Sequence, residues 1–492
     1  MKEVHKKSTD EAVNQMLLSA YRRHIDLAWD RAETQQPQCG FGRLSLCCSD
    51  CYAGPCRINP FGDEDQRTIC GRDRNTLTAN SLLNKVADGS LALVKLAREF
   101  GADVAAEELA RAFTAEDEII VGQDFAERLE DLGQLAANAL AAILKVKNSV
   151  YGETRAETTE VNLGALDGQA VNIVVHGHVA PQVIRGLAEA AKQSSISVKL
   201  SAVCGADAGG TVTLPVLTNY DSQETILLTG VVDLLVVGNQ CVMPAMISFA
   251  QKENVPVVRS SSLHNKAALD TALQTAKDAF HRRAGKTTAI PPVTRPLYTS
   301  CGTADGKFNE ALKTGFARGS VKGLVYLGGC GSIDHSQDAM PVRLAKQLLE
   351  GGYVVVTSGC SGTSLAKAGM TDPDFANGNP VLKAALPDGQ PTVLYIGSCH
   401  DAARFLAMAE GLKECGMPVF AVLPEVTHHK TLATAAAFAA SGITAFVGLE
   451  QIFADAAVKD LLGSATTGRS RILPLGDLEN APRAWAEAAA GR

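Results

Sequence analysis

The stretch CGFGRLSLCCSDCYAGPCRINPFGDEDQRTIC occupies residues 39–70 and holds six of the chain's 13 cysteines. Its glycines, prolines and closely spaced cysteines predict a loop without regular secondary structure, so the backbone is expected to fold around an inorganic centre. Four of its cysteines have the spacing C-x2-C-x4-C-x13-C, which suits a [4Fe-4S] cluster within the subunit. They are Cys48, Cys51, Cys56 and Cys70.

The two remaining cysteines of this loop, Cys39 and Cys47, are too few to hold a cluster within one chain. A two-fold axis lets two chains contribute two cysteines each. The pair therefore predicts a homodimer with a [4Fe-4S] or [2Fe-2S] cluster that bridges its subunits. Zinc is the competing interpretation, but the seven residues between Cys39 and Cys47 and the adjacent Cys47 and Cys48 do not resemble a common zinc finger.

The composition of the 492 residues narrows the class of protein. The formal net charge of −7 and the absence of a basic run argue against nucleic acid as a partner. No stretch approaches 18 apolar residues and the N-terminus has no apolar signal core, so we expect neither a membrane span nor export. Thirteen cysteines in a cytoplasmic protein indicate metal or redox chemistry rather than disulfides.

The chain is expected to fold as an α/β multidomain protein. An N-terminal helical domain, residues 1–166, contains the cysteine loop and ends in a polar linker over 153–168. Two Rossmann-like, doubly wound α/β domains follow at 167–290 and 291–492, joined near 281–296, because short β-branched runs alternate there with helical patterns. The predicted strands are VNIVVHGH (171–178), ISVKLSAVC (196–204), VDLLVVGNQC (232–241), VPVVRS (255–260), GLVYLGGC (323–330), GYVVVTSGC (352–360), TVLYIGSC (392–399), PVFAVLPE (418–425) and AFVGLE (445–450).

Six residues with soft metal-binding side chains each stand at the end of a predicted strand. Ligands of parallel α/β sheets gather at the carboxyl ends of the strands. One such cysteine is usually a small core residue, but six at one topological position predict a shared iron-sulfur or nickel-iron-sulfur centre. The six are His178, Cys204, Cys241, Cys330, Cys360 and Cys399.

The sequence resembles the catalytic subunit of the anaerobic nickel-iron carbon monoxide dehydrogenases and is similar in particular to short members of that family. The resemblance is dense near the N-terminus and continues through shorter motifs along nearly the whole chain. The motifs are STDEAVNQML (8–17), WDR (29–31), PQCGFGRLSLCCSDCYAGPCRINPFGDE (37–64), ICG (69–71), HGHV (176–179), QCVMP (240–244), GGC (328–330), TSGC (357–360), SLAKAG (364–369) and GSC (397–399).

This resemblance implies a function and a role for each group of residues. The family oxidises CO with water, reversibly, to CO2, two protons and two electrons. The six strand-end residues would hold its Ni-Fe-S cluster, and the loop cysteines would hold the electron-relaying and dimer-bridging clusters. Lys430 matches the active-site lysine, which hydrogen-bonds bound CO2 or hydroxide and stabilises developing negative charge. Implied partners are a ferredoxin-like electron carrier, a nickel-insertion ATPase and a small gas substrate.

The chain departs from the family at its proton-handling residues. Leu93 occupies the position where the family's catalytic histidine aligns, and no histidine occurs between His24 and His176. We expect His428 and His429, beside Lys430, or direct access of water to replace it. Cys204, in AVCGADAGG, has altered surroundings. Cys301 is a spare candidate ligand, whereas Cys415 is expected to pack in the core.

Two alternative functions stay open. A hybrid iron-sulfur-oxo cluster on the same scaffold would reduce small nitrogen compounds such as hydroxylamine, and the loss of the histidine favours it. A non-catalytic electron-transfer or redox-sensing protein would use only the loop clusters, but it leaves the downstream cysteines unexplained. Nucleotide binding is not supported, because HRRAGKTT (281–288) and CGTADGKF (301–308) lack P-loop spacing.

Overall fold

The computed structural model describes residues 6–62, 65–104, 123–152, 156–205, 208–209, 212–284, 288–300, 306–375, 378–449, 462, 471–479 and 481–489. The chain divides into two compact units. The first contains residues 1–32, 99–102 and 143–417, and the second contains residues 33–98, 103–142 and 418–492. The division into three domains at 166/167 and 290/291 stays a prediction. No helix in the described part of the chain is both long and apolar enough to span a bilayer.

The regular elements alternate along most of the chain. The helices are α1 (Glu11–Arg22), α2 (Ala28–Thr34), α3 (Gly40–Arg43), α4 (Arg74–Glu99), α5 (Gln123–Tyr151), α6 (Pro181–Lys192), α7 (Thr225–Leu228), α8 (Pro244–Lys252), α9 (Lys266–Arg282), α10 (Gly306–Ala317), α11 (Ala339–Glu350), α12 (Gly359–Lys367), α13 (Pro380–Ala385), α14 (Ala402–Glu410), α15 (His429–Ala440) and α16 (Ala481–Ala489). The strands are β1 (Cys47–Cys48), β2 (Cys56–Arg57), β3 (Glu157–Val161), β4 (Val171–His176), β5 (Val198–Val203), β6 (Ala208–Gly209), β7 (Val212–Thr213), β8 (Val216–Thr218), β9 (Val232–Val237), β10 (Val257–Arg259), β11 (Arg295–Thr299), β12 (Gly323–Leu327), β13 (Tyr353–Thr357), β14 (Val393–Tyr395), β15 (Val419–Leu423), β16 (Thr444–Val447) and β17 (Ile472–Pro474).

The first unit is built on strands in the order β10-β9-β4-β5-β8-β3-β11-β14-β13-β12. Neighbours are parallel except β3 and β11, which are antiparallel. Successive residues of β4 enter different apolar clusters, Val174 on one face and Ile173 and Val175 on the other. A strand covered on both faces needs a continuous β-branched run, which explains why the apolar pattern identified it. The predicted α/β fold is confirmed, and all nine predicted strands form.

The predicted linker over 153–168 is wrong in part. β3 lies within it and pairs with β11, which begins inside the predicted joint at 281–296. β3 reads ETTEV, with alternating burial, so its polar residues resemble a loop. Its partner lies more than 130 residues further along the chain, and no local pattern reveals such a pairing. β8 and β17, of three residues each, were not predicted either.

The second unit packs α4 and α5 closely against α15. A Cβ added at Gly89 of α4 would lie 2.2 Å from the carbonyl oxygen of His429, and one added at Gly133 of α5 would lie 2.4 Å from that of Ala436. Any other residue at either position would force the helices apart. The Ser90 hydroxyl also donates to the Leu132 carbonyl oxygen at 3.0 Å and joins α4 to α5. These contacts fix the start of α15, where Lys430 lies.

Candidate metal centre

The six strand-end residues all lie in the first unit, at the carboxyl ends of its parallel strands. His178 and Cys204 follow β4 and β5, and Cys241 follows β9. The other three follow β12, β13 and β14; they are Cys330, Cys360 and Cys399. The six residues therefore lie at the strand ends, as predicted from the alternation of strands and helices. Whether these residues can act together as ligands depends on their contacts.

The contacts join these residues into one group. The Nε2 atom of His178 lies 3.5 Å from the Sγ atoms of both Cys241 and Cys399. The Cys204 and Cys360 thiols are hydrogen-bonded to each other, and Cys204 also interacts electrostatically with Cys241, Cys399 and Cys330. Five sulfur donors and one imidazole are a soft donor set, which suits iron and nickel.

Burial and mutual repulsion keep two of these thiols protonated in the absence of metal. Burial raises the pKa of Cys204. The hydrogen bond that the Cys360 thiol donates to Cys204, together with burial, raises the pKa of Cys360 well above its ordinary value. A bound cation reverses this preference, because a coordinated thiol loses its proton. Insertion of a metal centre would therefore stabilise this group of thiols.

Three of the six residues have left-handed backbone conformations. The φ angles are +62° at His178, +68° at Cys204 and +62° at Cys241. This region is uncommon for residues other than glycine and costs on the order of 1–3 kcal/mol when the surroundings impose it. Backbone strain of this kind gathers at functional sites. Its presence at three of the predicted ligands supports a functional group here.

A buried polar array that was not predicted from the sequence lies beside His178. The Nδ1 atom of His400 lies 3.2 Å from the Nδ1 atom of His178. Lys147 lies 3.4 Å from the Nε2 atom of His400 and forms an ion pair of 2.7 Å with Asp401, and both partners of this pair are fully buried. A histidine directly after the strand-end Cys399 was a usable signal. No such signal marks Lys147, because a lysine is common in an amphipathic helix.

A second buried polar group surrounds Lys367, at the end of α12. Its ammonium lies 2.8 Å from the Asp10 carboxylate and 3.3 Å from that of Asp338. Burial opposes the charge of Lys367, but the two carboxylates outweigh it and raise its pKa. Burial likewise opposes the charge of Asp10, and Lys367 outweighs it and lowers the pKa of Asp10. These ion pairs thus hold the last turn of α12, the helix that carries Cys360 in its first turn.

Asp221 is a buried carboxylate on the same side of the unit as Cys330. A Cβ added at Gly331, the residue after Cys330, would lie 2.3 Å from its Oδ2 atom. Neither carboxylate oxygen has a side-chain hydrogen-bond partner within the described ranges, and the Ser332 N–H stabilises the ionised form only in part. Burial, with a further contribution from the charge of Asp338, raises the pKa of Asp221 to about 7. Asp221 therefore changes charge near neutral pH.

Replacing Asp221 with asparagine is expected to remove a pH-dependent loss of stability. The folded-state pKa of about 7 lies above the ordinary value of 3.8, so the stability from this group is full below pH 4 and is lost as pH rises through 7. Between pH 6 and pH 8 the parent chain should lose about 1.4 kcal/mol relative to Asp221→Asn. Thermal unfolding at both pH values measures this, with the exposed Asp388→Asn as control. Parallel pH dependence in all three proteins would contradict the expectation.

The cysteine loop lies in the second unit. The prediction of no regular element in it is wrong in part, because it contains two short antiparallel strands and α3. The strands place Cys48 opposite Cys56. Arg72 lies 3.8 Å from the Cys48 sulfur and pairs with Asp50 at 2.8 Å. The Thr68 hydroxyl lies 3.3 Å from the Cys70 sulfur, and this hydrogen bond, aided by Arg72, lowers the pKa of Cys70. The twelve cysteines in the described ranges are free thiols.

The predicted catalytic residues of the second unit lie at the start of α15. Lys430 is 8% exposed in the first turn, an unusual burial for lysine. His428 is the N-cap residue of this helix. The half-exposed ring of His429 lies 3.5 Å from the Asp88 carboxylate, and partial burial lowers its pKa despite that partner. His429 is therefore neutral near pH 7 and able to accept a proton.

The remaining residues singled out from the sequence are Leu93, Cys415 and Cys301. Leu93 is buried in α4 and packs as a core residue. Cys415 is half-buried rather than packed in the core, and its thiol donates to the Leu412 carbonyl oxygen at 3.0 Å. Cys301 lies outside the described residues.

A cavity of about 720 Å³ in the first unit reaches His178. Its wall is more apolar than polar, and the Asn239 side chain there donates to the Glu99 carboxylate at 2.7 Å. The lining also includes Phe100, Gln182 and His264. Water and small molecules can enter a space of this size, which leads to the imidazole of His178.

Comparison with known proteins agrees with this architecture. A model of the Prismane/CO dehydrogenase family matches residues 46–131 and 113–472. Carbon monoxide dehydrogenase 1 of Carboxydothermus hydrogenoformans is 27% identical, over 93% of this chain and 95% of that protein. Carbon monoxide dehydrogenase 1 of Methanosarcina mazei is 26% identical, over 90% of both.

Solved structures show the same fold. Carbon monoxide dehydrogenase IV from Carboxydothermus hydrogenoformans is 24% identical, with a TM-score of 0.84 over 99% of this chain and 98% of that one. An as-isolated, nickel-free carbon monoxide dehydrogenase from Thermococcus sp. AM4 is 22% identical, with a TM-score of 0.80 over 99% and 96%. Since the family model covers most of the sequence, the chain belongs to the Prismane/CO dehydrogenase family.

Proposed function

We propose that this chain is an anaerobic carbon monoxide dehydrogenase, an oxidoreductase that holds a Ni-Fe-S cluster in its first unit. The observation that carries the proposal is the group of five thiols and His178 at the carboxyl ends of parallel strands, with Cys241 and Cys399 in contact with His178. The relatives named carbon monoxide dehydrogenase support the same reaction. When bound, the cluster would supply the oxidation of CO by water to CO2, with two electrons and two protons released.

The chain's own residues would bind and position the reactants and move protons. His178, Cys204, Cys241, Cys330, Cys360 and Cys399 are the proposed ligands. Lys430 is proposed to hold its positive charge where negative charge develops on an oxygen of the reacting molecule. His428 and His429 would handle protons in place of the family's histidine, because Leu93 cannot. The cavity at His178 supports access of water.

The loop cysteines would carry electrons away from this centre. Cys48, Cys51, Cys56 and Cys70 are proposed to hold a [4Fe-4S] cluster, with Arg72 stabilising the thiolates. Cys39 and Cys47 are exposed, as a half-site shared between two subunits requires. A ferredoxin-like carrier would accept the electrons in the cytoplasm, and an ATPase would insert nickel.

Anaerobic purification followed by nickel, iron and sulfide analysis tests the function directly, with CO-dependent reduction of a viologen dye assayed on the same sample. We expect nickel in the protein and CO-dependent reduction. Cys399→Ala should lose both, while Cys415→Ala, a cysteine outside the proposed ligand set, should keep both. Full nickel occupancy without CO oxidation would refute the proposal.

A hybrid-cluster reductase is the second candidate, because Leu93 removes the usual proton acceptor. This alternative predicts an iron-sulfur centre without nickel and dye-dependent reduction of hydroxylamine. The same purified sample distinguishes the two, since nickel content and the substrate that turns over are measured together.

The bridging cluster makes a separate prediction. The double substitution Cys39→Ser with Cys47→Ser should remove one cluster per dimer, so iron per dimer should fall by the content of one cluster. The [4Fe-4S] cluster held by the other four cysteines should remain. Iron and sulfide analysis, with subunit association measured by light scattering, checks both points. Unchanged iron per chain would show that these cysteines hold no cluster.

A further inference from the structure

We propose that Arg72 tunes the reduction potential of the [4Fe-4S] cluster in the cysteine loop and favours electron uptake by that cluster. Since this assumes that Cys48, Cys51, Cys56 and Cys70 hold the cluster, it rests on the function proposed above. Its starting observation is the guanidinium of Arg72, whose Nη1 atom lies 3.8 Å from the Cys48 sulfur. None of the sequence motifs contains this arginine.

The loop is shaped to bring its cysteines together. Cys48 lies opposite Cys56 in the antiparallel pair of β1 and β2. A Cβ added at Gly54 would lie 3.1 Å from the Cys56 nitrogen and 3.2 Å from the Cys48 carbonyl oxygen, so a larger residue would crowd this turn. The four proposed ligands are all free thiols, which are the donors that hold iron-sulfur clusters. The residues present therefore fit such a cluster.

A closed turn places Arg72 beside the last of these cysteines. The Thr68 N–H donates to the Arg72 carbonyl oxygen at 2.9 Å, and the Arg72 N–H donates to the Thr68 hydroxyl oxygen at 2.9 Å. Gly71 completes the turn with a φ of +94°, a conformation that glycine adopts without strain. Cys70 lies inside the turn, 3.3 Å from the Thr68 hydroxyl. Because these contacts use only the main chain of Arg72, its side chain can be replaced while the turn is kept.

The side chain of Arg72 brings a permanent positive charge to the cysteines, because a guanidinium does not lose its proton in proteins. It is 16% exposed, so water screens its charge only in part. One-electron reduction of the cluster adds one negative charge, which a nearby positive charge stabilises. In the proposed reaction this electron comes from CO and leaves to the electron carrier. Local charge and hydrogen bonds to the sulfurs are among the factors that set the potential of such clusters.

Asp50 opposes the effect of Arg72 and so gives the proposal a sign. Its carboxylate accepts from the same Nη1 atom at 2.8 Å. Removal of either partner leaves the charge of the other uncompensated beside the cluster. Loss of the Arg72 charge should therefore lower the reduction potential, and loss of the Asp50 charge should raise it. A purely structural role of the ion pair predicts shifts of the same sign, since both substitutions break the same contact.

Redox titration of the purified holoenzyme, followed by electron paramagnetic resonance of the reduced clusters, tests this expectation. The loop cluster gives the signal that remains in the double substitution Cys39→Ser with Cys47→Ser and disappears in Cys51→Ala. We expect Arg72→Gln to lower the equilibrium constant for electron uptake by this cluster about tenfold, which is about 59 mV for a one-electron couple. Asp50→Asn should raise the constant by a similar factor.

Two further variants serve as matched controls. Arg72→Lys keeps the charge with a different shape, so its potential should lie closer to that of the parent than to that of Arg72→Gln. Arg67→Gln removes an arginine of the same loop that is 47% exposed and pairs with Asp73 at 3.1 Å. Its potential should stay near that of the parent, because exposed ion pairs have weak effects. Iron and sulfide analysis shows first that each variant holds the cluster.

The outcomes separate this inference from the proposed function. Equal potentials in the parent and Arg72→Gln would overturn the inference, and so would shifts of the same sign in Arg72→Gln and Asp50→Asn. If Arg72→Gln loses the cluster, Asp50→Asn decides alone: a raised potential supports the inference, and an unchanged or lowered one overturns it. Absence of the loop signal from the parent would refute the loop cluster of the proposed function and the inference with it. In a parent that holds the cluster but does not oxidise CO, the potentials still decide the role of Arg72.

Discussion

Replacing Lys430 with methionine is expected to lower CO oxidation by roughly 100-fold or more while the metal content stays the same. Removal of one preorganised group that stabilises developing negative charge typically costs about 100-fold to 1000-fold in rate. Lys430 is 8% exposed, so its charge acts in a setting where water screens it weakly. Methionine keeps most of the side-chain volume and removes only the charge.

The control for this prediction is Lys95→Met, which removes an exposed lysine from α4. Lys430 is not among the six proposed ligands, so Lys430→Met should keep the metal content of the parent. Nickel and iron analysis must therefore accompany the viologen assay. Lys430→Arg adds a finer comparison, since it restores the charge with a different shape. Activity of Lys430→Met within about threefold of the parent at equal nickel content would show that the charge has no part in the reaction. Loss of nickel would show that the lysine acts through the metal centre instead.

The strands that carry the candidate ligands could be predicted from the sequence for a physical reason. Strands covered on both faces must be continuously apolar and β-branched, and VNIVVH and VDLLVV are such runs. A polar or thiol side chain at the end of such a run stands out against it. Parallel topology then brings the strand ends to one edge without any knowledge of distances. The placement of Cys204 and Cys399 followed from these two rules.

The polar groups around the site could not be predicted in the same way, because each depends on a pairing between distant residues. Lys147 and Asp401 are 254 positions apart, and neither is unusual in its own segment. Asp221 follows Tyr220 in a polar stretch, and only the fold reveals that its carboxylate is buried. The edge strand pair β3 and β11 escaped prediction for the same reason. Local sequence patterns predict helices and strands, whereas the burial of a charged side chain depends on tertiary contacts.

Lys367 provides the largest expected change in stability. Lys367→Met should cost about 3–5 kcal/mol, because removal of one partner of a buried ion pair leaves uncompensated charge behind. Two carboxylates lose their partner at once, those of Asp10 and Asp338. The Asp10 carboxylate also caps α1 through the Ala12 N–H at 3.0 Å and accepts from the Asn162 side chain at 2.9 Å. Urea unfolding measures the loss, and the exposed Lys346→Met serves as control.

A triple variant decides whether charge or packing causes this loss. Adding Asp10→Asn and Asp338→Asn to Lys367→Met removes both unpaired charges, while asparagine still accepts the N–H at the start of α1. If charge is the cause, most of the lost stability returns; if the lysine acts by packing, the triple variant stays as unstable as the single one. The same comparison bears on the metal centre, because every residue of α12 is buried and Cys360 lies in its first turn. Recovery of stability with recovery of metal content would show that the SLAKAG motif holds in place the helix that carries the candidate ligand Cys360.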